Sequence, residues 1–328
     1  MRIAVTGSIA TDYLMTFQGR FADQLLPDQL HRLSLSFLAD DLDRRRGGVA
    51  ANIAYGMAQL GLRPVLVGSV GADWGDYDAW LTRAGVDTSS VHVSDLKHTA
   101  RFFCTTDADQ CQIATFYPGA MTEARDIELT PIARRLGSLD LVVVSPNDPE
   151  AMVRHTAEAK SAGIPFVADP SQQLSSLDGP GIERLVDGAR FLVTNDYEAA
   201  LIESKTGWTK DEVLARVETR VTTLGAKGCI VERAGEAPIE VPVVPEERKA
   251  DPTGVGDAFR AGFLSAQAWG LSLERSAQVG TLLATYVLET VGTQEYAVSV
   301  EPFLARLAAS YGDTAAAEVA PHLPPDPG

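Results

Sequence analysis

Hydrophobic and polar positions follow two alternating periodicities along most of the chain. Short, nearly continuous runs of β-branched and apolar residues are separated by stretches in which apolar residues recur every three or four positions. Ile53, Met57 and Leu60, just before Gly61, share one helical face in this way. The runs lie at 2–6, 64–67, 141–145, 165–168, 191–194 and 220–224. Apolar strands alternating with helices predict an α/β fold: a doubly wound, mostly parallel sheet with helices on both faces.

Two regions break this rhythm. Residues 10–45 are irregular, and residues 97–119 have the pattern of a β-hairpin. We expect them to form a small β-sheet lid beside an α/β core made of residues 1–9, 46–96 and 120–320. Residues 321–328 contain four prolines and are predicted to be a disordered tail.

Charge and cysteine content narrow the possible partners. The 28 basic and 44 acidic side chains give a formal charge of −16, which opposes binding to nucleic acid or to an anionic membrane. Three scattered cysteines do not make a disulfide framework, and no segment has the apolar length of a membrane span. The sequence therefore predicts a cytoplasmic protein whose partners are small molecules.

A glycine-rich turn carries the clearest chemical signal. The segment DPTGVGDAF, residues 251–259, leads directly into a helical stretch. Gly254, Val255 and Gly256 can aim backbone N–H groups at an anion, and Asp257 stands beside them. An anion site next to a carboxylate suits phosphoryl transfer, with the carboxylate accepting the proton of an attacking hydroxyl. The alternative reading is that Asp257 only caps the helix.

Two other phosphate-binding motifs are missing from the sequence. It contains no GxxxxGK[ST], and the turn lacks the third glycine of a dinucleotide-binding fingerprint. A P-loop enzyme and a Rossmann dehydrogenase are therefore disfavoured.

Five motifs together resemble the ribokinase-like, PfkB-type carbohydrate kinase family. Besides the turn, these are GGVAAN at 47–52, GSVGADWG at 68–75, NDYE at 195–198 and TLGAKG at 223–228. The likeness spans roughly residues 1–310. It implies that Asp257 is the catalytic base and that Gly254, Val255 and Gly256 form the anion hole.

The same resemblance implies the cofactors. Asn195 and Glu198 would position Mg²⁺ and the phosphates of ATP through water, with Glu198 as the metal-side residue. Residues implied to line the nucleotide site are Thr223, Gly225, Gly228 and Gly256.

A monovalent-cation site is also implied, with K⁺ as its occupant. Asp251 and Thr253 match its first half, and Gly292 would contribute later. The other interpretation of Asp251 is that it caps the turn at Pro252.

The acceptor site is predicted from small and polar residues near the start of the chain. Gly48 allows close backbone approach, and Asn52 follows one helical turn later, which suits adjacent sugar hydroxyls. Asp12 can accept from two ribose hydroxyls, and Ser8 can add a third contact. Alternatively, the glycines only connect a strand to a helix and Asp12 is a solvated turn residue.

Aromatic residues in the predicted lid favour a nucleoside over a simple sugar. Phe102, Phe103 and Phe116 exceed what a sugar needs, and aromatic faces stack on bases. Gln172 and Gln173 offer amide groups for a purine edge. The alternative interpretation is that the phenylalanines form the core of the lid. Because Phe102 and Phe103 face opposite ways on a strand, one of them at most stacks on the base.

Within the family, the segments VTGSIATDYL, RRRGGVAANIA, FYPGAM, DPSQQL and ETVGTQEY are similar to adenosine kinases of mycobacteria and related actinobacteria. This likeness implies Phe102 and Phe116 around adenine, Gln172 and Gln173 on its edge, a homodimer formed through the lid, and Ser36 reaching the substrate, with the partner subunit as one source. The expected reaction converts adenosine and ATP to AMP and ADP. The alternatives are a kinase for another nucleoside or a sugar such as ribose or fructose, and a non-catalytic nucleoside-binding regulator.

Overall fold

A computed structural model describes residues 1–24 and 36–325. The strands are β1 (Ile3–Thr6), β2 (Ala10–Thr16), β3 (Asp41–Gly47), β4 (Val65–Val67), β5 (Ser69–Gly71), β6 (His92–Ser94), β7 (Ala100–Thr106), β8 (Gln112–Tyr117), β9 (Leu141–Val144), β10 (Phe166–Ala168), β11 (Phe191–Asn195), β12 (Thr219–Thr223), β13 (Cys229–Glu232) and β14 (Ile239–Val241). The α-helices are α1 (Phe21–Gln24), α2 (Val49–Gln59), α3 (Gly75–Ala84), α4 (Leu129–Leu136), α5 (Pro149–Ser161), α6 (Gly179–Val186), α7 (Asp196–Thr206), α8 (Lys210–Leu214), α9 (Val255–Ala268), α10 (Leu273–Leu288), α11 (Val300–Tyr311) and α12 (Asp313–Val319).

The central sheet has eight strands in the order β14-β13-β12-β11-β10-β9-β1-β4. All pairs from β12 to β4 are parallel, which confirms the predicted mostly parallel sheet. Strands β13 and β14 extend it in the antiparallel sense. The sequence analysis did not predict these two strands, because short hairpin strands at a sheet edge lack the long apolar runs of the buried ones.

Helices cover both faces of this sheet, as predicted. Alternate residues along each strand point to opposite sides, so Phe191 and Val193 pack in one core and Leu192 in the other. The first core contains α2, α9 and α10, with Phe263 among its largest buried side chains. The second contains α5, α6 and α7, with Met152 at its centre.

A second sheet of four strands, β3-β2-β7-β8, forms the lid. Strands β7 and β8 make the predicted hairpin. In the register of this sheet, Asp12 lies opposite Phe102, and Phe102 lies opposite Phe116. Cross-strand neighbours share a face, so these three side chains occupy one side of the lid.

The chain's end departs from the sequence prediction. Residues 320–322 form a 3₁₀ turn, and the His322 ring stacks on Trp269 with centroids 5.4 Å apart. Leu323 packs against the first core. The predicted disordered tail is therefore wrong for residues 321–325, because apolar contacts anchor a segment whose prolines suggested disorder; residues 326–328 lie outside the described chain.

In the part of the chain that the structure describes, no helix combines the length and apolar character needed to cross a bilayer.

Candidate active site

Polar residues converge at the carboxyl-terminal edge of the parallel sheet, where such folds bind ligands. Ser8 follows β1, Asp169 follows β10, Asn195 ends β11 and Thr223 ends β12. The start of α9 packs beside this edge and brings Asp257 to it: Asp257 and Asp169 interact electrostatically.

Helix α9 begins at the glycine-rich turn. Its N-cap is Gly254, which has a φ of 78° in the left-handed region that glycine adopts without strain. No side chain caps this helix, so the alternative interpretation of Asp257 as a helix cap is wrong. The N–H groups of the first turn have no carbonyl acceptor within the helix, which makes this end a place for negative charge.

Asp257 is a partly buried carboxylate oriented by an amide. Asn52, on α2, donates from Nδ2 to Asp257 Oδ2 at 2.9 Å. Burial raises the pKa of Asp257 to about 6, and the negative charge of Glu198 adds to this rise; Arg260 and the Asn52 hydrogen bond oppose it. A carboxylate with this pKa is mostly ionised at pH 7 and is basic enough to accept a hydroxyl proton.

The orientation of the Asn52 amide is set by residues that the sequence analysis missed. Gln294 Nε2 donates to Asn52 Oδ1 at 2.9 Å, and Thr293 Oγ1 lies 2.9 Å from both Asn52 Oδ1 and the Arg46 carbonyl oxygen, to one of which it donates. Trp80 Nε1 donates to Gln294 Oε1 at 3.1 Å. Because its oxygen accepts from Gln294, Asn52 presents its nitrogen to Asp257.

The predicted Gly48 turn brings α2 close to β1. Gly48 has a φ of 95°, and a Cβ there would lie 2.6 Å from the carbonyl oxygen of Ser8. Ser8 Oγ accepts from the Val49 amide at 3.0 Å. Ser8 therefore fixes the start of α2, and its hydroxyl proton is directed away from that amide.

Asp12 lies on β2, beside the junction of lid and core. A Cβ at Gly47 would lie 2.6 Å from Asp12 Oδ2, so the Asp12 carboxylate packs closely against the end of β3. Burial raises the pKa of Asp12 to about 6, with a further rise from the charge of Asp251. The interaction with Asp251 places Asp12 near the glycine-rich turn rather than in a solvated turn.

The lid register separates the two adjacent phenylalanines. Phe102 is on the face of Asp12, whereas the Phe103 ring stacks on Tyr13 on the opposite face, with centroids 5.1 Å apart. Phe116 is 46% exposed although it is a large apolar side chain. An aromatic pair on the Asp12 side of the lid thus has surface available for a flat ligand.

Gln172 and Gln173 lie in a 3₁₀ turn after β10. Gln173 Nε2 donates to the Asn147 carbonyl oxygen at 2.7 Å. Gln172 Oε1 accepts from Ser171 Oγ at 2.8 Å. These bonds leave the Gln173 oxygen and the Gln172 nitrogen to contact a ligand. Asn147, whose buried Nδ2 has no hydrogen-bond partner, was not singled out from the sequence.

A cavity of about 390 Å³ adjoins the glycine-rich turn, with Val255 and Gly256 in its wall. Four of the residues predicted for the nucleotide site line it: Thr223, Gly225, Gly228 and Gly256. Apolar side chains make up much of the remaining wall: Val243, Val244, Phe259, Ala284 and Leu288. A flat apolar slot that ends at the anion-binding turn has the form of a nucleotide site.

Asn195 and Glu198 form the capping box of α7. The Asn195 side chain accepts from the Glu198 amide at 2.7 Å, and Glu198 Oε2 accepts from the Asn195 amide at 2.8 Å. The electrostatic effect of Glu198 on Asp257 and Arg260 places its charge beside the turn. Both predicted residues are thus at the site, with an additional structural role.

Asp251 joins two loops. Its Oδ1 accepts from the Thr253 amide at 2.9 Å and its Oδ2 from the Gly292 amide at 3.1 Å. Arg45, on the lid, donates to the carbonyl oxygen of Val291 at 2.7 Å. The three residues predicted for K⁺ are therefore neighbours, and Asp251 has the turn-capping role of the alternative interpretation as well. The K⁺ site itself stays a prediction.

Ser36 does not join the other substrate residues within one chain. It precedes Phe37, whose ring is 5.0 Å from Phe17, beyond the far end of β2. From Asp12 to Phe17 the strand direction covers about 17 Å. A contact between Ser36 and the substrate therefore requires a second subunit and stays a prediction.

Comparison with known proteins identifies the family. Residues 10–299 match the pfkB family carbohydrate kinase. The chain belongs to the PfkB family of carbohydrate kinases. Among curated relatives of this PfkB protein, the nucleoside kinase of Methanocaldococcus jannaschii is 30% identical over 251 residues, 76% of this chain and 80% of that one. The nucleoside kinase of Methanothermobacter thermautotrophicus is 32% identical over 270 residues, 81% and 85% of the two chains.

Solved structures confirm the predicted fold. The nucleoside kinase of Burkholderia thailandensis in complex with inosine superposes with a TM-score of 0.83 and 34% identity, covering 94% of this chain and 98% of that one. The M. jannaschii nucleoside kinase, described as an archaeal member of the ribokinase family, superposes with a TM-score of 0.83 and 26% identity over 94% and 99% of the chains. The PfkB protein thus has the ribokinase-like fold.

Proposed function

We propose that this protein is a nucleoside kinase that transfers the γ-phosphoryl group of ATP to the 5′-hydroxyl of adenosine. The observation that carries the proposal is Asp257, partly buried and held by Asn52, at the turn whose Val255 and Gly256 line the 390 Å³ cavity. A carboxylate between an acceptor site and a nucleotide site is the arrangement that phosphoryl transfer requires.

The chemistry follows from the residues around Asp257. The carboxylate, held by Asn52 at 2.9 Å, accepts the proton of the 5′-hydroxyl while the hydroxyl oxygen forms its bond to the γ-phosphorus. The bond from that phosphorus to the bridging oxygen breaks, and ADP leaves. The N–H groups at the start of α9 stabilise the charge on the transferring group.

The residues present fit a magnesium ion that is bound mainly by the phosphates of ATP. Across residues 1–24 and 36–325, no group of three or more His, Cys, Asp or Glu side chains is arranged to hold a metal ion. Mg²⁺ commonly binds through phosphate oxygens, waters and one or two carboxylates. Glu198 has a carboxylate at the turn, so it and Asn195 would hold the hydrated ion. When bound, Mg²⁺ neutralises phosphate charge.

Adenosine as the acceptor rests on five lid and edge residues. Phe102 and Phe116 offer an aromatic surface on the face of Asp12, which can accept from two ribose hydroxyls. The Gln173 oxygen and Gln172 nitrogen match the donor and acceptor of a purine edge. Relatives described as nucleoside kinases, one of them bound to inosine, support the nucleoside class.

A homodimer through the lid is part of this proposal. The face opposite Asp12 carries three large apolar side chains that are at least 40% exposed: Leu42, Ile113 and Tyr117. Burying such a patch between two copies removes apolar surface from water and protects the edge strand β8. Molar mass from light scattering tests it, and a monomer at micromolar concentration would refute it.

The activity is tested by measuring ADP formation from Mg-ATP with adenosine, inosine, guanosine, ribose and fructose in parallel, with and without K⁺. We expect the highest kcat/KM with adenosine and AMP as its product. Preference for inosine or guanosine would keep the nucleoside kinase and correct the base. Turnover only with a sugar would overturn the stacking argument, and no ADP with any acceptor would favour a nucleoside-binding regulator.

A further inference from the structure

A buried ion pair lies directly beneath the anion-binding turn. Arg260 Nη2 is 2.6 Å from Asp169 Oδ1, and the side chains are 7% and 0% exposed. Among the described residues only two arginines are buried, Arg260 and Arg220. Arg220 pairs with Glu203 at 3.0 Å, in the second half of the sheet and away from the turn.

Helix geometry aims Arg260 at the turn. It lies four residues after Gly256 and three after Asp257, so all three share one face of α9. Long helical side chains point toward the N-terminus, and a Cβ at Gly256 would be 2.9 Å from Arg260 Nη1. Gly256 therefore provides the space through which the guanidinium passes beside the anion-binding backbone.

Arg260 has more acidic neighbours than the single carboxylate of a simple ion pair. The carboxylates of Asp169, Asp257 and Glu198 all raise the pKa of this arginine. One buried cation thus faces three acids, and neither Arg260 Nε nor the two carboxylate oxygens of Asp169 have a hydrogen-bond partner of good geometry. Such a deeply buried charge serves stability poorly, because apolar residues of similar volume often do as well or better. Its place beside the turn points to a role in the reaction.

Other basic side chains near the nucleotide cavity are poorly placed for this role. Lys249 lines the cavity, but its side chain is 69% exposed and it pairs with Glu246 at 3.2 Å. A solvated lysine contributes less to a developing charge than a fixed guanidinium in a water-excluded site.

We propose that Arg260 supplies the fixed positive charge that stabilises the transferring phosphoryl group at the turn, and that Asp169 is its positioning residue. This inference rests on the proposed function. In phosphoryl transfer the charge on the equatorial oxygens must be balanced by preorganised cations and N–H groups. Asp169 fixes the guanidinium before substrate binds, so no reorganisation is needed during the reaction.

The test is a pair of double variants. Asp169→Asn with Arg260→Gln removes both members of the ion pair, so that neither is left buried without the other. We expect kcat to fall about 100-fold or more, as when a transition-state charge contact is lost, with KM for adenosine within about 3-fold. The matched control, Glu203→Gln with Arg220→Gln, removes a buried pair elsewhere and should lower thermal stability with kcat unchanged.

A second readout does not depend on turnover. ADP, aluminium fluoride and adenosine should form a tight complex that mimics the transferring group. The wild type and the control pair should bind it, whereas the Asp169 and Arg260 pair should bind ADP normally and lose at least about tenfold in affinity for the fluoride complex. Unchanged kcat and unchanged fluoride affinity in that pair would overturn the proposal.

Misfolding of the double variant and failure of the proposed function can each be distinguished from failure of this proposal. If the amide pair fails to fold, Asp169→Leu with Arg260→Met replaces it, since buried ion pairs tolerate apolar substitution of similar volume, and the same kcat and fluoride results decide. A wild type that phosphorylates none of the five acceptors refutes the proposed function instead. The fluoride complex, formed with whichever nucleoside binds, then still decides the role of Arg260.

Discussion

Replacing Asp257 by asparagine separates catalysis from stability at the centre of the site. Asparagine keeps the shape of the side chain and still offers an oxygen to the Asn52 amide, which now donates at 2.9 Å. It cannot accept the hydroxyl proton. Because a positioned general base contributes 10²- to 10⁴-fold, we expect kcat to fall about 10³-fold while binding of ATP and adenosine changes little.

The same substitution should make the folded protein more stable at neutral pH. Burial raises the pKa of Asp257 from 3.8 to about 6, which corresponds to about 3 kcal/mol of unfavourable ionisation. A raised carboxyl pKa means that the folded state holds the proton more tightly than the unfolded chain. Stability is therefore lost as the pH rises from about 4 to about 6 and stays lower above that. Asparagine avoids this loss, so the free energy of unfolding at pH 7.5 should rise by up to about 3 kcal/mol, and the difference should vanish below pH 4.

Coupled ADP formation and urea unfolding at pH 7.5 and pH 4 measure the two effects. Asp95→Asn changes an exposed carboxylate outside the site and should alter neither property. Wild-type turnover in Asp257→Asn would refute the role of the base. A variant less stable than wild type at pH 7.5 would refute the reasoning about burial.

Three other predictions concern the acceptor side and the turn. Burial raises the pKa of Asp12 and of Asp257 to about 6, and both must be ionised, so log kcat/KM should fall with a limiting slope near two per pH unit as the pH drops below 6. Asp12→Asn should lower kcat/KM overall and reduce this slope to about one. A slope of two in the variant would contradict this assignment. Phe102→Ala should raise KM for adenosine about 10-fold or more through lost stacking, while Phe103→Ala, on the other lid face, should change it less than 3-fold in the same assay; equal effects would contradict the lid register. Gly254→Ala should lower both the melting temperature and kcat, because alanine at a φ of 78° is strained and its Cβ would lie 2.8 Å from Thr293; wild-type values would show that the turn does not need glycine.

The sequence predicted the parts of the molecule that depend on local patterns. The parallel strands were recognised because they are buried on both faces and read as apolar runs, and the turn at 251–259 because its glycines and aspartate are adjacent. Strands β13 and β14 lie at an edge, where a three- or four-residue strand has little distinctive pattern.

The long-range contacts that shape the site could not be predicted from local sequence patterns. Gln294 orients Asn52, and Asp169 holds Arg260, although the members of each pair lie far apart in the chain. Only the tertiary fold brings them together, by packing α2 against the loop after α10 and α9 against the end of β10. Asn195 and Glu198 show the converse. Their spacing is fully explained by a capping box at the start of α7. Only the fold shows that these two residues also lie at the candidate site.

The most direct test of the account is ADP release from Mg-ATP with adenosine, measured in parallel for the wild type and Asp257→Asn. The account predicts rapid, nucleoside-dependent turnover with AMP as product in the wild type, and a loss of about 10³-fold in a variant that still binds adenosine. Turnover on ribose or fructose but not on any nucleoside, or equal turnover in the two proteins, would contradict it.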